Sequence, residues 1–344
     1  MIRTFVLAAA LAVTGSAIAA PGTPIQLSDV RQNLFATCFT NDREGWIVGE
    51  LGRIIRTTDG GQSWVRQDAG TKRPFLAITC LDAKTAWIAG KEGIVYGTKD
   101  GGDTWTQLQT GSTRHIFAIE FPNTERGHAV GDFGTMVHTE DGGKTWTASR
   151  VPENVALPES ALDTGVEPGD VNLYGISYGD ADHVWVVGEF GIVMASADGG
   201  RTWTQQHTPI ESTLFGVRFL DVNRGFAVGI DSTILSTTDG GQTWRTVTPP
   251  ITQRSYYDIT VRGQNGWIVG DSGTVLKSTD GGVTWAAEPL SIKLAANWIR
   301  AVALSPNGSG VAAGSEGLVF RIEGAKLQRL DDRPKTGTTT EAKS

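Results

Sequence analysis

Thr57-Thr58-Asp59-Gly60-Gly61-Gln62-Ser63-Trp64 occurs near the start of the chain and its pattern then returns five times. The later copies centre on Asp100, Asp141, Asp198, Asp239 and Asp280, each followed by two glycines and, one residue later, by Thr and Trp. The six aspartates are separated by 41, 41, 57, 41 and 41 residues. A period near forty with one turn motif and several short strands marks a propeller blade, whose sheet must be covered by its neighbours on both faces.

Aligning on the glycine that ends a short apolar run yields seven units, anchored at Gly49, Gly90, Gly131, Gly188, Gly229, Gly270 and Gly314. Each opens with an inner strand such as Leu34-Phe35-Ala36-Thr37 or Leu214-Phe215-Gly216-Val217. A small residue at the third position lets the strands crowd a central axis. The second strand carries a column read as Trp46, Trp87, His128, Trp185, Phe226, Trp267 and Val311, and the Asp motif turns strand three into strand four. The expected fold is therefore all-β, a seven-bladed propeller of four-stranded antiparallel blades over residues 20–330. The 44 glycines and 11 tryptophans suit many tight turns and aromatic plugs.

The seventh unit lacks the motif. Its outer strand is either Leu327-Gln328-Arg329-Leu330 or, closing the ring from the other end, Pro24-Ile25-Gln26-Leu27. Residues 151–170 interrupt the period as an insertion read as a long loop, and 331–344 form a polar tail expected to be disordered. Residues 1–19, with Arg3, an apolar run and Ala17-Ile18-Ala19, read as a cleavable export signal too short to anchor a membrane. Export sets a periplasmic expectation, and the mature chain is expected to be a monomer without a membrane span. Cys80 falls one position further along its strand than Cys38, so the two lie on opposite sheet faces. A bridge is geometrically allowed, but two buried thiols are the expectation.

Within each motif the carboxylate can accept hydrogen bonds from its own turn, and the glycines supply dihedrals closed to other residues. Asp59, Asp100, Asp141, Asp198, Asp239 and Asp280 are thus assigned structural roles, as are Trp64, Trp105, Trp146, Trp203, Trp244 and Trp285, each expected to plug a seam. Ser/Thr-x-Asp-x-Gly-x-Thr-Trp resembles the Asp-box, or BNR, repeat of sialidases and related propellers. Six copies at a 41-residue step, each with a Gly-Trp-Ile-Val-Gly-like strand, resemble the photosystem II assembly and stability factor family of seven-bladed propellers. That resemblance implies a non-catalytic lumenal or periplasmic platform for membrane-complex assembly, thylakoid-lumenal only if the source is photosynthetic.

No catalytic residue is assigned. Phe320-Arg321-Ile322-Glu323 lacks the Pro of the sialidase Arg motif and stands in the last unit, and Glu120 and Asp258 show no spacing that makes them a glycosidase pair. The five histidines have no metal-ligand spacing, and no phosphate-cradling loop precedes a helix, so neither metal nor cofactor is expected. A net charge of −7 offers no global field for nucleic acid.

The face away from the Asp motifs is where a partner is expected. Its turns between strands two and three carry Glu50, Glu92, Asp132, Glu189, Asp231, Asp271 and Glu316. Arg31, Lys72-Arg73, Arg114, Arg254, Lys293 and Arg300 precede or enter the inner strands of neighbouring units. We take Arg31, Arg73, Arg114, Arg254 and Arg300 as candidate partner-binding residues, suited to acidic loops or the tail of a membrane protein. The alternatives are a sialidase-type glycan-binding or glycoside hydrolase propeller and an accessory subunit of a membrane transporter.

Overall fold

The second strand of each unit, Gly45–Gly49 in the first, is buried along its whole length. Its pleat sends alternate side chains into different seams, so neighbours must cover both faces. The computed structural model, which describes residues 22–152, 155–163, 165–290 and 294–330, satisfies this with seven antiparallel sheets around one axis. The expected export signal over 1–19 and the tail over 331–344 lie outside the described residues. Blade one contains Leu34–Phe39, Gly45–Gly49, Ile54–Thr57 and Trp64–Gln67.

Blade seven takes its fourth strand from its own repeat, Lys326–Arg329 paired with Val319–Glu323. The N-terminal strand Thr23–Ile25 instead pairs with Trp64–Arg66 as a fifth strand of blade one. The ring is thus closed by side chains. Leu27, Val30, Leu34 and Trp64 pack with Val311, Ala313 and Val319, and Phe35 stacks on Trp298. Nearby, Asp42 accepts hydrogen bonds from Ser305, Asn307 and Ser309.

Each Asp-box is a turn and an inter-blade joint. Asp59 Oδ1 accepts the Thr57 hydroxyl at 2.8 Å and the Ser63 amide at 2.9 Å, and its Oδ2 accepts the Ser63 hydroxyl. Gly60 and Gly61 take φ of 75° and 84°, which disfavours any side chain there. The carbonyls of the turn face the preceding blade. Trp87 Nε1 donates to Gly142 O, Trp185 Nε1 to Gly240 O, and Trp46 reaches Gly101 O through the amide of Gln67. Blade seven has no such turn. Accordingly Trp267 Nε1, in the blade before it, is buried without an acceptor among the described residues.

Cys38 and Cys80 form a disulfide, Cα to Cα 6.1 Å, which corrects the expectation of free thiols. The fifth residue of an inner strand faces the next blade and the sixth faces the previous one, so opposite sheet faces meet in one seam. The segment after Val151 is not a free loop. Val151, Val155 and Ala161 are buried, Val151 and Val155 pack beside Met136 and Ile192, and a short helix spans Glu159–Leu162.

The tryptophan plugs are unequal. Trp64, Trp105, Trp244 and Trp285 are buried, whereas Trp146 and Trp203 are only partly covered. Trp64→Ala should therefore cost about 3–5 kcal/mol in urea unfolding, as for buried aromatics elsewhere, and Trp146→Ala clearly less. Equal losses would refute this ranking. His128 holds the tryptophan column in blade three, its Nδ1 2.5 Å from the Tyr178 hydroxyl and its Nε2 facing Gly200 of the next Asp-box. Burial, then the adjacent His138, pull its pKa down to about 3. The unfolded chain binds this proton near pH 6.5, so the stability His128 confers is intact above 6.5 and is lost as pH falls toward 3. His128→Phe, copying Phe226 of blade five, should flatten the decline in melting temperature between pH 6.5 and 4. Parallel declines in variant and wild type would contradict the assignment.

Candidate protein-binding face and central channel

In all seven blades the pairing of the first two strands slips by one residue at the second position. Leu34 faces Gly49 and Ala36 faces Val48, leaving Phe35 unpaired; the same slip frees Leu76, Phe117, Tyr174, Phe215, Tyr257 and Arg300. Such a bulge bends the strand and re-aims a side chain. Here all seven side chains line the central channel, whose volume is about 370 Å³. Their strand ends carry the turns between strands two and three, so they ring the mouth away from the Asp-boxes.

This ring is mostly aromatic. Phe117 and Tyr174 lie 5.3 Å apart between centroids, Tyr174 and Phe215 5.1 Å, and Phe215 and Tyr257 5.6 Å. Arg300 continues the series as a cation, with its guanidinium carbon 4.9 Å from the Tyr257 ring and 5.5 Å from the Phe215 ring. Burial draws the Arg300 pKa down, Tyr257 and Asp258 oppose this, and an arginine stays charged regardless. Tyr174 donates to Glu189 Oε1 at 3.3 Å, and burial followed by that carboxylate pushes its pKa up to about 12.

The other candidate arginines lie outside the channel, mostly in local pairs. Arg73 pairs with Glu92 at 2.8 Å, Arg254 approaches Asp271 at 3.9 Å, Arg114 stacks over Phe133 at 4.2 Å, and Arg31 donates to the carbonyls of Ser28 and Val30. Lys293 lies outside the described residues. Among the five arginines, only Arg300 lines the channel. The turn acids also divide by position. Glu50 and Glu189 occupy the first turn residue and accept both the amide and the side-chain N–H of Asn33 and Asn172, fixing where the inner strand begins. Glu92, Asp231 and Glu316 stand at the second residue, with φ between 53° and 60°. Leu51 and Phe133 share that second place and are exposed at 60% and 52%, adding apolar surface to the face.

Deeper in the channel the wall is charged. Burial raises Glu120 to about 7, against the pull of Arg218 and a hydrogen bond from the Tyr178 amide. Burial likewise raises Asp258 to about 6, although it accepts the amides of Ile259 and Val302. Glu120 and Asp258 stood out in the sequence, whereas Arg218 and Arg262 did not, because their signal is the fifth and seventh place in an inner strand. The second inner-strand position is aromatic in five of the seven units, Phe35, Phe117, Tyr174, Phe215 and Tyr257. The bulge that turns it toward the axis leaves no mark in composition.

A family model described as photosynthesis system II assembly factor YCF48 matches residues 19–114, 109–205 and 201–328. Among solved structures, one titled YCF48 bound to D1 peptide is 20% identical, with a TM-score of 0.67, covering 90% of this chain and 99% of its own. YCF48 from Cyanidioschyzon merolae is 18% identical, with a TM-score of 0.67, covering 88% of this chain and 98% of its own. A GH74 xyloglucanase from Xanthomonas campestris is 14% identical at a TM-score of 0.68, covering 91% of this chain and 56% of its own. No curated protein sequence matches. The seven-bladed architecture, the repeated Asp-boxes and the family match over nearly the whole chain agree, and the protein belongs to the photosynthesis system II assembly factor YCF48 family.

Proposed function

We propose that this chain is an exported, non-catalytic propeller that binds an extracytoplasmic loop or tail of a membrane protein and assists assembly or stability of a membrane complex. The observation that carries this reading is the bulge-directed ring of Phe35, Phe117, Tyr174, Phe215 and Tyr257, completed by Arg300. Rigid aromatics around one arginine are the residue types that anchor protein interfaces. Arg73 and Arg114 flank the ring, and their weak, exposed partners can yield to carboxylates of a peptide. A family member titled as bound to D1 peptide supports a peptide ligand here. Placement in the periplasm rests on the N-terminal sequence and agrees with the Cys38–Cys80 disulfide; a photosynthetic source would place it in the thylakoid lumen. The platform acts as a monomer without metal or cofactor. No helix among the described residues is long and apolar enough to cross a membrane.

A glycosidase reading has one observation in its favour: Glu120 and Asp258 share a channel and have raised pKa values, as catalytic acids do. Both carboxylates, however, accept backbone amides of the next blade and so have a seam role. An accessory subunit of a transporter would use the same mouth.

Pull-down from solubilised membranes with wild type and with Arg73→Glu/Arg114→Glu/Arg300→Glu should recover a membrane-protein partner only with wild type. Equal recovery would overturn the reading. Hydrolysis of a fluorogenic sialoside or of xyloglucan by the pure protein would remove the non-catalytic assignment. A seam role for Glu120 makes a further prediction. Its folded pKa lies above the unfolded value, so the ionised form costs stability that returns as pH falls from above 7 toward 4.5. Glu120→Gln keeps an oxygen for the Tyr178 amide and should stabilise the protein at pH 8 by about 1–2 kcal/mol, the advantage closing near pH 4.5. A variant less stable than wild type at pH 8 would contradict this account.

A further inference from the structure

The inner strands run from the mouth described above toward the Asp-box face, where the strand-one to strand-two loops bond the motif turns, as in Gly60 N to Arg43 O. Toward that end the channel changes character. Arg218 stands fifth in the inner strand of blade five and Arg262 seventh in that of blade six, and both line the channel. Neither makes an ion pair within 4.0 Å to a described carboxylate. Arg218 Nε is buried and has no hydrogen-bond acceptor among the described residues. Burial, and then the like charge of Arg218, lower the pKa of Arg262, so the two guanidiniums sense one another.

Glu120 is the acid near both, and it already accepts the Tyr178 amide across the seam. Asp258 also feels Arg218, but it serves Arg300 as well and accepts the amides of Ile259 and Val302. Three channel guanidiniums, Arg218, Arg262 and Arg300, therefore face two carboxylates, both of them held toward their neutral form. Like charges held beside one another in a channel only partly open to water repel unless an anion lies between them. A guanidinium also offers a planar fork of donors that fits a carboxylate or phosphate in two-point fashion. A structural role alone explains Glu120 but leaves the surplus cation and the orphaned Nε–H without a reason.

We propose that the Asp-box end of the central channel is a binding site for a small oxyanion, a carboxylate or phosphate, held by the guanidiniums of Arg218 and Arg262. This site is at the opposite end of the channel from the partner-binding mouth and does not depend on that reading.

The test is calorimetric titration of the full mature chain with inorganic phosphate and, separately, with succinate, each at constant ionic strength made up with chloride. Saturable one-to-one binding of at least one anion is expected, and the arm that binds tells phosphoryl from carboxylate chemistry. Arg218→Met and Arg262→Met should each raise Kd at least tenfold, while Arg73→Glu/Arg114→Glu should leave it unchanged. The proposal falls if neither anion gives saturable heat, or if Kd is the same in the two channel variants as in wild type. Should Arg218→Met fail to fold, Arg262→Met decides alone, since that side chain is exposed at the end of its strand. A lost titration alongside an intact membrane pull-down would reject this site while leaving the partner-binding face standing.

Discussion

The constraint on which the ring depends is the seating of one blade's second-strand column against the next blade's Asp-box turn, which at two seams is a direct bond from an indole to a glycine carbonyl. A blade is too thin to have a core of its own, and its second strand is buried on both faces by neighbours. Apolar packing alone would let adjacent sheets slide. The bonds from Trp87 to Gly142 and from Trp185 to Gly240 fix the offset, because a buried indole N–H left unpaired is costly and only one register satisfies it. The aspartate acts one step back, holding the turn so that its carbonyl points at the neighbour.

Departures from this joint show what it contributes. Blade seven replaces the motif with the Glu323–Lys326 turn, and Trp267 next to it keeps its apolar burial but has no acceptor among the described residues; Lys277 instead lies 5.8 Å from its ring. Between blades seven and one, Val311 packs without a polar partner, and the Asp42 cluster with Ser305, Asn307 and Ser309 supplies direction. That closure is peripheral and polar, which is why a terminal strand is not required to lock the ring. Thr23–Ile25 is left to cover the outer edge of blade one, the kind of exposed edge that natural sheets protect.

The sequence disclosed whatever repeats. Blade count, strand order, Asp-box turns and the two faces follow from a 41-residue step, since periodic burial imposes a periodic pattern. Features that arise between repeats were harder to see. Cys38 and Cys80 differ by one strand position, and only the knowledge that the fifth residue of one blade meets the sixth of the next turns that offset into a bond. The turn acids looked like one set, yet Glu50 and Glu189 anchor strands while Glu92 and Glu316 occupy left-handed positions, a distinction that depends on turn geometry. The arginines were legible as charges, but their pairing with Glu92, Asp271 and Phe133 was not.

Propeller geometry separates stability from recognition along one axis. At the Asp-box face six of the seven repeats keep the Asp-Gly-Gly turn, since most seams use it as their joint. At the other mouth the bulge delivers seven side chains to a common ring, and no seam constrains their identity. Six of these seven are aromatic or Leu and one is Arg300. The wall below differs again, with Glu120 and Arg218 at the fifth inner-strand place where other blades carry Cys38, Thr79, Ser177, Thr260 or Ala303, and Arg262 two residues further along in blade six. Ser177 accepts the Phe219 amide and Glu120 the Tyr178 amide, so a neutral hydroxyl can do the seam work that Glu120 does at the cost of a buried charge. The excess of positive charge at this level is therefore not seam work, and it is the feature that the proposed oxyanion answers.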